Sequence, residues 1–175
     1  NPDQDSYKIT AQPGAIQIVA LRVEAIPDPS LSGSGPGRDG NFVLTDLKVA
    51  SGKHVVPISA ALETYAQDSG LTASQAIDTN KATGWAIWPR IGERHSAYFQ
   101  FQAPVHSADS DLLNFDLHFE QNIRHTLGRF RLSVTDAPAA FDAERQRVGV
   151  LKLTDPWVKL AAAYMLSGDA QRAAD

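Results

Sequence analysis

The chain has 175 residues, with 16 Lys and Arg against 20 Asp and Glu for a formal net charge of −4; 43% of it is hydrophobic and 21% charged. That composition fits one globular domain with a small attachment, long enough to bury a core without metal or disulfide. The absence of cysteine excludes a disulfide framework, a thiolate zinc site and a cysteine nucleophile, while no segment has the basic excess of a nucleic-acid binder or the apolar length of a membrane helix.

The chain opens Asn-Pro-Asp and its single methionine is Met165, so it is expected to be a piece of a longer polypeptide. Residues 16–26 are rich in β-branched side chains and end at Pro27, which predicts a strand entering a loop. Residues 27–40 hold four Gly and three Pro, which predicts a long surface loop, and residues 41–49 predict the next strand. In residues 97–102, Ala97, Phe99 and Phe101 alternate with Tyr98, Gln100 and Gln102. Leu113, Phe115, Leu117 and Phe119 alternate with Asn114, Asp116, His118 and Glu120, the clearest period of two in the chain. Residues 129–135 repeat the pattern with Phe130, Leu132 and Val134 inward. Strands with one wet face imply antiparallel sheets, and several without helical patterns between them imply an all-β antiparallel sandwich, assigned to residues 1–155.

Residues 156–175 are Ala-rich, with Trp157, Leu160, Ala161 and Tyr164 at helical spacing. Asp155 can cap a helix there, Pro156 suits its first turn, and Gly168-Asp169 breaks it. The helix is expected to pack through Trp157, Leu160 and Tyr164. With Ala173, this spacing resembles the first helix and turn of a tetratricopeptide repeat.

Few motifs carry chemistry. Residues 35–40 match G-x-G-x-x-G, but a strand pattern follows where a dinucleotide site needs a helix, so a turn-rich loop is the expectation. Asp116, His118 and Glu120 share one strand face and read as solvated polar surface in preference to a metal row. Asp109 and Asp111 read as solvated turn residues. No arrangement of nucleophile and base is present, so no catalytic residue is assigned and the chain is read as a non-enzyme. In residues 73–89, Asp78, Asn80 and Thr83 place three oxygen-bearing side chains before Trp85. Such a loop suits either a Ca²⁺ ion or a turn in which the Asx side chains bond their own backbone.

The pattern Ala76-x-Asp78-x-Asn80-x-x-Thr83-x-Trp85 resembles the discoidin signature of galactose-binding-like β-sandwiches, except that Thr79 stands where that family prefers Gly. The resemblance implies a jelly-roll sandwich with Trp85 packed under the loop and a structural Ca²⁺ held by Asp78, Asn80 and Thr83. Residues 41–49 resemble the family's final strand yet precede the motif, which implies a circular permutation with Asp46 as the closing carboxylate. Residues 21–31, 35–38, 40–44, 83–87 and 125–133 together resemble a planctomycete-type accessory module. That module recurs in large bacterial multidomain proteins beside cytochrome-like domains, and in some kinase chains with helical repeats.

The functional expectation is a recognition module for carbohydrate. Trp88, three residues beyond Trp85, is expected to face solvent, with Arg90 and His95 flanking its loop and Arg124 and His125 in another. The rival is a structural spacer that docks neighbouring domains of the same polypeptide. Neither nucleic acid nor membrane is an expected partner.

Overall fold

The computed structural model describes residues 3–14, 16–107 and 112–174, so Asn1, Pro2 and the turn reading of Asp109 and Asp111 lie outside the described residues. Among the described residues eight strands are followed by three α-helices: β1 (Asp5–Ala11), β2 (Ile16–Ala25), β3 (Asp46–Ser51), β4 (His54–Val55), β5 (Ile58–Glu63), β6 (His95–Ser107), β7 (Leu113–Phe119), β8 (Phe130–Thr135), α1 (Ala140–Leu151), α2 (Pro156–Leu166) and α3 (Ala170–Ala174). Two compact units result, Asn1–Ala137 and Pro138–Asp175.

The first unit is built of two four-stranded sheets, ordered β1-β7-β3-β4 and β5-β6-β2-β8, with antiparallel pairing throughout. Period-two alternation sets their inner faces. Leu113, Phe115, Leu117 and Phe119 of β7 are buried and meet Phe99 and Phe101 of β6 in one core, with Phe130, Leu132 and Val134 of β8 packed against it. Each fully buried side chain of this size contributes about 1.5–3 kcal/mol over leaving it in water. Opposite them, the polar positions of β7 form balanced rows: Asp116 lies between Lys8 and Lys48, and His118 between Ser6 and Asp46. Glu120 pairs with Lys81 at 2.9 Å. This is the solvated face expected of Asp116, His118 and Glu120.

Two expectations are corrected here. The strand expected over residues 41–49 begins only at Asp46. Residues 41–44 are extended but bridge singly, Leu44 to Trp85 and Asn41 to Asp39, because they run between two loops and not beside a strand. Residues 27–40 are also not surface loop throughout. Gly35, Pro36 and Gly37 are buried, and Gly37 and Gly40 exchange N–H···O bonds at 3.1 and 3.0 Å. A β-carbon on Gly37 would stand 1.8 Å from the Asn41 carbonyl oxygen, so only glycine fits that approach.

The helical unit starts before residue 156. Residues 138–155, assigned from sequence to the sandwich module, fall in the second unit and contain α1. Its signal is faint because Ala139 at the N-cap offers no side-chain bond and only Phe141 and Val148 are buried. The remaining face is charged, with Arg145–Asp142 and Arg147–Glu144 ion pairs one turn apart. In α2 the expected cap is present: Asp155 Oδ1 accepts the N–H groups of Trp157 and Val158, both at 2.9 Å. Gly168, with φ of 81°, ends the helix as read from sequence. The expected packing through Trp157 is not seen. Trp157 is 77% exposed and Leu160 45%, and no residue of α2 is buried.

Candidate functional site

The site is built outward from Trp85. Its indole is fully buried, lies edge-on to Phe42 with ring centres 4.9 Å apart, and donates Nε1–H to the Tyr65 carbonyl at 3.0 Å. Residues 84–87 are all buried, and the Ile87 N–H donates to Asn41 Oδ1 at 3.2 Å. The chain then turns and Trp88 emerges 54% exposed. Its exposure therefore comes from a turn, since buried Ala86 and Ile87 leave no alternation to follow.

That turn is held on Tyr65. The Tyr65 hydroxyl donates to the Trp88 carbonyl at 3.3 Å, and the Arg90 guanidinium stands 4.7 Å above the Tyr65 ring. His95 lies 5.3 Å from the same ring and is only 4% exposed. Thr64 Oγ1 accepts the Ser96 N–H at 3.0 Å, so its own proton is directed to His95 Nδ1 at 3.4 Å. His95 Nε2 then carries the hydrogen and donates to the Arg90 carbonyl at 3.0 Å. Burial pushes the imidazole below its ordinary value, against the pull of the Arg90 carbonyl and Glu93. His95 is thus a neutral support under Arg90, not a surface contact.

Arg124 and His125 occupy a second loop, with positive φ at Asn122 and Arg124. His125 Nδ1 lies 3.1 Å from Asn122 Nδ2, and its carbonyl accepts the Val43 N–H at 3.0 Å. Residues 41–44 therefore bond Trp85 and Ile87 on one side and His125 on the other. The two loops share this backbone segment. Among the described residues no hydrogen bond or ion pair joins Trp88, Arg90 or His95 to Arg124 or His125.

The oxygen-bearing loop closes on itself. Asp78 Oδ1 accepts the Asn80 N–H at 2.8 Å and Oδ2 accepts the Thr83 hydroxyl at 2.8 Å, while Asn80 Oδ1 accepts the Ala82 N–H at 3.0 Å. Asp46 lines a cavity of about 370 Å³ together with Thr79, but its Oδ2 holds Lys48 Nζ at 2.7 Å and raises the ammonium pKa. Asp78, Asn80 and Thr83 converge, then, and Asp46 is engaged elsewhere. Among the described residues no group of three or more His, Asp or Glu is arranged to hold a metal ion. The oxygens of the loop are arranged as a hydrogen-bonded Asx turn.

Tyr65, the hub of the Trp88 turn, was not singled out from sequence. It stands 20 residues before Trp85, to which it is bonded, and no local pattern marks so distant a contact. No family model, curated protein or solved structure matches this chain.

Proposed function

We propose that the sandwich is a non-catalytic carbohydrate-recognition module of galactose-binding-like, jelly-roll type. The observation that carries this reading is Trp88, an indole more than half exposed on a turn held by Tyr65 and Arg90. A fixed, exposed aromatic face beside a few planar donors is what stacking on a sugar ring requires. Arg90 supplies the donors, His95 braces its backbone, and Arg124 and His125 offer polar groups on the loop that shares residues 41–44.

A glycan array probed with the whole chain tests the reading, with Trp88→Ala as control. Because Trp88 is largely solvated, the variant keeps its stability to within about 0.5 kcal/mol and loses glycan binding. Unchanged glycan binding in Trp88→Ala overturns the reading.

A structural Ca²⁺ at residues 78–83 is a proposal from the discoidin resemblance alone. An ionised carboxylate has about four lone-pair sites, so Asp78 and Asp46 keep acceptor capacity for a cation beside their bonds to Thr83 and Lys48.

The second reading, a spacer docking neighbouring domains, is favoured by the helical unit. Trp157, Val158, Leu160, Met165 and Leu166 are all exposed, and α2 and α3 line a cavity of about 450 Å³ with Trp157 and Leu160 on its wall. Apolar patches of this kind mark interaction surfaces.

A further inference from the structure

On the outer face of the second sheet, the register places Glu24 between Ser96 and Arg131, and Arg22 between Tyr98 and Ser133. Glu24 is 3% exposed, and its carboxylate is engaged by two guanidiniums. Arg131 grips it through Nε and through Nη2, the latter at 2.9 Å, and Arg22 Nη2 lies 3.3 Å away. Arg94, at the mouth of β6, adds its charge to the same carboxylate, whose pKa is lowered first by the Arg131 bond and then by Arg22, Arg131 and Arg94 against the cost of burial. Two guanidiniums on one carboxylate leave an excess of one positive charge there, and Arg94 stands two residues before Ser96, the register partner of Glu24, on a chain whose net charge is −4.

The exposure of these groups is divided. The Glu24 side chain is 4% exposed, while those of Arg131 and Arg22 are 53% and 37% exposed. The anion lies beneath and the cations face outward. A guanidinium has five N–H donors, and Arg131 uses two of them on Glu24, which leaves three on a side chain that is 53% exposed.

We infer that Arg22, Arg94 and Arg131, oriented by Glu24, form a binding site for an oxyanion substituent, a sulfate ester or carboxylate, carried on a glycan. The inference rests on the proposed carbohydrate reading and specifies the sugar: acidic, not neutral. Arg94 immediately precedes His95, whose ring is bonded to the Arg90 carbonyl, so the cationic face begins where the Trp88 turn ends. One polymer can stack on the indole and present its anionic group to the arginines.

Two arms test it on the full chain. A sulfated galactan should bind about tenfold more tightly than the same polymer after desulfation, the scale of one charge-assisted hydrogen bond, and added salt should erode the difference. Arg94→Gln, which leaves both partners of Glu24 in place, should abolish most of that preference while leaving affinity for the desulfated polymer unchanged. Arg131→Gln alone strands a buried carboxylate, so the Glu24→Gln/Arg131→Gln double variant serves as the second probe. In the other arm, inorganic sulfate should shift the side-chain Nε–H resonances of Arg22, Arg94 and Arg131. Equal binding of the two polymers overturns the oxyanion site and leaves the glycan reading standing. Sulfate-induced shifts without binding of either polymer overturn the glycan reading and retain the site. Resonances that stay put, with a preference that survives Arg94→Gln, overturn the assignment to these arginines.

Discussion

Leu44 and Trp85 exchange a reciprocal pair of backbone hydrogen bonds, Trp85 N–H to the Leu44 carbonyl at 2.9 Å and the return bond at 3.0 Å. Neither residue lies in a strand, and the pair ties the Trp88 turn to the segment between the two candidate binding loops. Trp85→Ala removes a fully buried indole and its bond to Tyr65, and should cost about 3–5 kcal/mol in urea unfolding. A loss under about 1 kcal/mol would show that the turn does not depend on this anchor.

Thr79 adopts φ of 64°, a left-handed conformation that is unfavourable for a β-branched residue. It is the position at which the discoidin-like pattern prefers glycine. Thr79→Gly relieves roughly 1–2 kcal/mol of strain and gives back about 0.5–1 kcal/mol in unfolded-chain entropy. A higher unfolding midpoint is expected, and a lower one contradicts the strain.

Burial holds His95 below its ordinary value of 6.5. The unfolded chain therefore takes up a proton that the fold refuses, beginning near that value. Stability is fully present above it and falls as pH drops through the window toward the depressed folded value. Urea midpoints at about pH 7.5 and 5.5 should show this decline, and His95→Gln should flatten it. An equal decline in the variant assigns the dependence to other groups.

Asp78→Ala removes the acceptors for Asn80 N–H and Thr83 Oγ1–H. On an exposed turn this should cost about 1–2 kcal/mol. A turn held by its own hydrogen bonds gives the same loss in excess calcium and in chelator. A melting temperature that rises with calcium in the wild type, and not in Asp78→Ala, would instead establish the cation.

A chain ending at Ala137 should retain a cooperative melting transition, because the two-sheet core is drawn from residues of the first unit. Loss of the transition on truncation would make the helices part of its folding unit.

How much of this was legible varies with the range of the interaction. The alternation in β7 specified every inward residue from Leu113 to Phe119, since a half-buried strand in mid-sheet writes its environment into its period. β1, β4 and β5 carry weaker marks: β1 is a sheet edge, β4 has two residues, and half of β5 is Ala or Ser. At the candidate site the sequence predicts a buried Trp85 and an exposed Trp88, while the turn that exposes Trp88 has no local mark. His95 was read as a contact residue and is a buried brace, because its partners Thr64 and Tyr65 stand about thirty residues upstream.

The pairing of β1 and β2 also governs the order of assembly. Among the described residues β1 pairs with β7, Asp5 opposite Phe119, and β2 with β6 and β8, Ala20 opposite Thr135. These strands therefore wait for partners made far downstream of them, and ordering such distant contacts slows folding toward milliseconds to seconds. Through that interval Ile18, Leu21 and Val23 of β2, all destined for the interior, have no sheet to enter.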